Sequence, residues 1–119
     1  MKAYIIADVR ITDPTQYEEY KKLTPGSLLP YGGKFVVRGG QTETLEGDWN
    51  PGRLVVLEFP SAEQAKAWWN SAEYAPAKAL RQAASISRAN GGVTRRPARA
   101  QAQLHRSLNT RSVTRQDAR

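Results

Sequence analysis

Residues 53–59 read RLVVLEF, and residues 2–9 read KAYIIADV. Both are short runs with the two-residue alternation of a strand, yet neither has a wholly polar face. In the first, Arg53, Val55, Leu57 and Phe59 share one side, and Leu54, Val56 and Glu58 share the other. In the second, Tyr4 and Ile6 lie opposite Ala3, Ile5, Ala7 and Val9. Strands of this kind belong in the middle of a sheet that is covered on both faces.

The segments around them supply one layer of cover. Asp13-Pro14-Thr15-Gln16 is a helix start, with Asp13 as cap, Pro14 in the first turn and Gln16 at the capping-box position. Tyr17, Tyr20, Leu23 or Thr24, Leu28 and Tyr31 then recur at helical spacing, while Glu18, Glu19, Lys21 and Lys22 face water. Pro25-Gly26 is expected to kink or divide this helix. Gly32-Gly33 ends it, and Lys34 to Arg38 reads as a strand with Phe35 and Val37 on one face. Gly39-Gly40 is expected to form a bulge before Gln41 to Glu46 continues the strand. The turn formers of residues 47–52 make a hairpin with residues 53–59. Ser61, with Gln64 three residues on, caps a second helix to about Asn70, whose buried stripe is Ala62, Ala65, Trp68 and Trp69. Ser71 caps a further helical piece lined by Tyr74, Ala77, Leu80 and Ala84, and a last strand covers Ser85 to Ala89.

The order β-α-β-β-α-β predicts an α+β, ferredoxin-like sandwich with a four-stranded antiparallel sheet. Its helices cover one face only. Each Val, Leu or Ile left exposed on the other forfeits about 1.5–3 kcal/mol of burial. The sheet of a second copy is the simplest cover, which gives a two-fold homodimer, a dimeric α/β barrel.

Composition narrows the function classes. The chain of 119 residues has no cysteine, which excludes disulfides, thiolate metal sites and cysteine nucleophiles. The N-terminal apolar run, ended by Asp8 and Arg10, is too brief for a signal-peptide core or a membrane span, so a cytoplasmic protein is expected. The net charge of +7 is unevenly spread. Residues 1–90, read as the folded domain, carry 11 basic and 10 acidic side chains, whereas residues 91–119 carry seven arginines against Asp117. That tail reads as disordered. It has no aromatic residue for base stacking, so nucleic acid or an anionic surface is a partner only through its arginines. The switch from a body with six lysines and five arginines to a tail with seven arginines and no lysine is what a shifted reading frame or a recent extension would leave.

Taken together, Tyr31-Gly32-Gly33, Val37-Arg38-Gly39-Gly40, Glu46-Gly47-Asp48-Trp49, the run RLVVLEFP from Arg53, and Trp68-Trp69-Asn70-Ser71 with Tyr74 resemble domain-of-unknown-function family 1330 over about residues 2–90. The resemblance implies membership of the dimeric α/β barrel superfamily. That superfamily includes cofactor-free monooxygenases, isomerases, haem enzymes and ligand-sensing domains, so the likeness implies the fold without choosing an activity.

The only histidine, His105, lies in the tail, leaving the domain without imidazole for general-base work, haem or zinc. No cofactor or metal is expected. Glu58, among apolar neighbours on a central strand, is the candidate acid or base, with Arg38 of the neighbouring strand as its partner and as a clamp for a substrate carboxylate or enolate. The other reading of the pair is a structural ion pair at the sheet or dimer interface. Tyr17, Tyr31, Trp49, Arg53, Trp69 and Tyr74 are candidate ligand-binding residues, set against core packing with polar tips at the rim. Two functions follow: a small enzyme or binder acting on a compact organic acid or aromatic ligand, or a non-catalytic sensing or dimerisation module.

Overall fold

The computed structural model describes residues 1–94; the remainder of the arginine-rich tail, including His105, lies outside the described residues. The elements run β1 (Ala3–Ile11), α1 (Pro14–Leu28), a 3-10 turn (Leu29–Tyr31), β2 (Lys34–Arg38), β3 (Arg53–Phe59), α2 (Ala62–Trp69), α3 (Ala75–Ala84) and β4 (Ser85–Thr94). The four strands form one antiparallel sheet in the order β2-β3-β1-β4. This is the expected ferredoxin-like α+β sandwich, with the two doubly apolar strands paired at its centre.

Both helix starts form as the sequence dictates. Asp13 Oδ1 accepts from the Gln16 amide at 3.2 Å, and Ser61 Oγ accepts from the Gln64 amide at 3.2 Å. Ser71 Oγ likewise accepts from the Tyr74 amide at 3.1 Å, just ahead of α3. The helices lie on one face, over Ala3, Ile5, Val9, Val55, Leu57 and Phe59. Trp68 is the centre of that layer. Its ring stacks on Tyr74 at 3.9 Å and its Nε1–H donates to Ser27 Oγ at 3.0 Å, so a large side chain is buried without stranding its one donor.

Four expectations need correction. Pro25-Gly26 does not divide α1, which runs unbroken to Leu28. Proline has no amide hydrogen to give the Lys21 carbonyl, and Arg38 Nη2 donates to that carbonyl instead, at 3.3 Å. The bulge falls not at Gly39-Gly40 but between Phe35 and Val37, a site without glycine: Phe35 pairs with Leu57, Val37 with Val56 and Arg38 with Val55. Val37 is therefore not on the face of Phe35. Third, β2 ends at Arg38, and residues 41–46 form no strand. Thr44 Oγ1 of that segment donates to the Trp49 carbonyl at 2.8 Å, and the turn beyond it is fastened by Asp8, which accepts from the Trp49 indole N–H at 3.0 Å and from the Gly52 amide at 2.9 Å. The last strand is also longer than expected, reaching Thr94, with an irregularity opposite Tyr4 and Ile6.

Candidate functional site

The single extra residue in β2 decides which candidate side chains meet. Without it, Arg38 would share a face with Glu58, as the alternation predicts. A one-residue slip turns every later side chain to the opposite face, so Arg38 crosses to the helix side. There its guanidinium lies 4.3 Å from the Phe35 ring centroid, against α1. Glu58 stays on the uncovered face. The expected Glu58–Arg38 pair does not form.

Glu58 finds other partners. Lys34, directly opposite on β2, places Nζ 3.2 Å from Oε2; Lys2 stands at 3.7 Å; and the Tyr4 hydroxyl donates to Oε1 at 3.0 Å. Its side chain is only 13% exposed. The hydrogen bond from Lys34 holds the carboxyl below its usual range; burial pushes the other way, and the Tyr4 hydroxyl and the charges of Lys2 and Lys34 add to the lowering. This is a carboxylate fixed in its charged form, which weakens its case as a general acid.

The helix side carries the opposite arrangement: arginines with no ion-pair partner among the described residues. Arg81 is 5% exposed, and its Nε–H donates to the Tyr74 hydroxyl at 3.2 Å. That hydroxyl is 3.5 Å from the hydroxyl of Tyr20. Burial pushes the Tyr74 phenol far above its ordinary value, so it stays protonated. Among the described residues Arg81 has no ion-pair partner; its charge is met by phenols and by the Trp69 ring, 5.3 Å from Cζ. Arg81 was not among the candidates, although its spacing from Tyr74 and Ala77 puts it on the buried stripe of α3. A charge at such a position was the available signal.

Trp69 stands at a cleft of about 260 Å³ between α2 and β4. Ile5, Ala89 and Gly91 of the sheet and Ala65 of α2 give it an apolar lining, while Lys66, Trp69 and Asn70, at the end of α2, form its polar and aromatic wall. The spacing of those three follows from one turn of helix. Lys78 steadies the indole from behind, with Nζ donating to the Trp69 carbonyl at 2.8 Å and lying 5.2 Å from the ring centroid. The remaining candidates are dispersed. Tyr17 is in the core beside Arg53, Tyr74 is under Trp68, Tyr31 donates to exposed Glu73 at 2.8 Å, and Trp49 is tied to Asp8. Only Trp69 lines the cleft, and Lys66 and Asn70 were missed because nothing in their own types marks a helix face that looks onto an open floor.

The family model described as Domain of unknown function (DUF1330) matches residues 2–90. The chain belongs to this family. Solved structures share the DUF1330 chain's fold. A protein of unknown function from Rhodopseudomonas palustris is 23% identical, with a TM-score of 0.64 over 81% of this chain and 84% of its own. SnoaB, a cofactor-independent oxygenase from Streptomyces nogalater, is 12% identical, with a TM-score of 0.51 over 82% of this chain and 96% of its own. At these identities the likeness is one of fold alone. No curated protein matches the DUF1330 chain. No helix among the described residues is long and apolar enough to cross a membrane.

Proposed function

We propose that this DUF1330 protein is a homodimeric binder of a compact aromatic or organic acid, held in the cleft between α2 and β4. The cleft carries the reading. Its 260 Å³ lies just under the roughly 300–1,000 Å³ of small-molecule sites, a size for a single-ring ligand. Trp69 offers a flat face to such a ring, Lys66 a cation to its carboxylate, and the Asn70 amide, whose Nδ2 donates to the Lys66 carbonyl at 3.1 Å, has an oxygen that can accept from a ligand donor. The described lining holds no carboxylate or imidazole, which favours binding over acid–base chemistry.

The test uses benzoate and its uncharged analogue benzamide as probes, titrated into the full chain while the amide resonances of Asn70, Ala89 and Gly91 are followed. Benzoate should shift all three saturably. Lys66→Gln should weaken benzoate roughly tenfold and leave benzamide unchanged, as loss of a charge-assisted contact does. Trp69→Ala should abolish both. Shifts that are absent, or confined to other residues, would sink the reading.

Dimerisation is supported by the uncovered face. Tyr4, Ile6, Leu54 and Val56 are only half-buried there, Val36 is 52% exposed and Ile86 67% exposed. Asp8 brings Trp49 to the same side. The charges of this face come in both signs, Lys34 with Glu58 and Asp8 opposite Arg88, so the surface complements a copy of itself.

A further inference from the structure

Arg38 and Arg53 line one small space on the helix side of β2 and β3 with no carboxylate in its lining, and Glu18, whose charge Arg53 affects, is held by Lys21. Arg53 lies against the backbone of residue 39, where only glycine leaves room: a Cβ there would stand 2.5 Å from Arg53 Nη1, and φ is +76°. Arg53 Nη2 donates weakly to the Arg38 carbonyl, at 3.4 Å, and its Cζ is 5.8 Å from the Tyr17 ring centroid. Its Nε is buried and has no hydrogen-bond partner among the described residues. Arg38 is brought alongside by the β2 bulge. Lys21, at the rim, is already committed to Glu18 at 2.9 Å.

A buried donor without an acceptor is rare in native proteins, and two arginines beside one carboxylate that Lys21 already holds leave positive charge in excess. One anion would settle both. The space beside them is about 10 Å³, near the 10–15 Å³ that one water-sized particle needs, and far too small for an organic ring. We infer that Arg53 and Arg38, walled by Tyr17, bind a compact anion through a single atom: a halide ion, or one oxygen of a small carboxylate. The site is separate from the α2–β4 cleft and does not depend on it.

Chloride-35 line broadening on the full chain tests this. Sodium chloride should give a saturable component that Arg53→Gln removes. Arg38→Gln, at an exposed side chain whose hydrogen bond to the Lys21 carbonyl lies at the surface, should weaken the same component roughly tenfold, as expected for a lost charged donor. Lys22→Gln, at an exposed lysine elsewhere on α1, should leave it unchanged. Displacement of chloride by acetate identifies a site that accepts a carboxylate oxygen; resistance to acetate with displacement by bromide identifies a halide site. Broadening without saturation, or equal broadening in the native chain and both arginine variants, overturns the inference.

Discussion

The two faces of the sheet are built from the same strands, yet they are completed differently. On the helix side the apolar side chains are finished and the charges are not: Ile5, Leu57 and Phe59 are fully packed, while Arg53 and Arg81 have only ring faces, phenols and backbone oxygens for company. On the uncovered side the charges are finished and the apolar side chains are not. Glu58 holds Lys34 and Tyr4, and Asp8 holds Trp49 and Gly52, but Ile6, Leu54 and Val56 remain half in water. An unmatched cation in a packed layer calls for an anionic ligand, whereas an unmatched apolar strip beside satisfied charges calls for another surface. The faces differ in what they lack.

The largest expected effect breaks the covered side. Trp68 is 1% exposed, stacked on Tyr74 and hydrogen-bonded to Ser27, so Trp68→Ala removes the side chain around which α1, α2 and α3 pack. Such truncations cost about 3–5 kcal/mol. In a domain of this size that is a large part of the total, and urea unfolding should show a midpoint lowered accordingly or no cooperative transition at all. Val56→Lys breaks the other side. Sedimentation velocity should show the native chain as a dimer and the variant as a folded monomer over the same concentrations, with dissociation favoured roughly 30-fold or more for a central contact. A native chain that is monomeric at high micromolar concentration would remove the partner surface from the comparison.

Much of this contrast is legible in the sequence. The alternation in residues 53–59 assigns both faces of β3 correctly, Asp13 and Ser61 announce the helix starts, and the spacing of Ala65, Trp68, Tyr74 and Ala77 marks the packed layer. The site is far less legible, and for one physical reason. A bulge needs neither glycine nor proline; Val36 carries no mark that it is the extra residue, yet it decides that Arg38 joins Arg53 rather than Glu58. Lys34 could be assigned to Glu58 only once that register was known. The cleft depends on the small size of Ala89 and Gly91 on β4 across from Trp69, a relation between elements distant in sequence that no local pattern encodes.

The smallest expected effect sharpens the uncovered side, through the titration of Glu58. Its carboxyl lies below its ordinary value of 4.5 in the folded chain, chiefly because Lys34 donates to the charged form. A carboxyl whose folded pKa is depressed contributes stability above the unfolded value, and that contribution disappears as pH falls through the folded one. Glu58→Gln should therefore melt slightly below the native chain at pH 7. The gap should close as the pH drops past the ordinary carboxylate range, at fixed protein concentration so that any self-association is held constant. Asp8 carries the same sign, its carboxyl lowered first by the Trp49 indole N–H and then by the Gly52 amide, but it is common to both chains and cancels in the difference. A gap that is absent at pH 7, or that widens in acid, would mean the lysine and phenol around Glu58 stabilise nothing, and the uncovered face would then be unfinished in its charges as well.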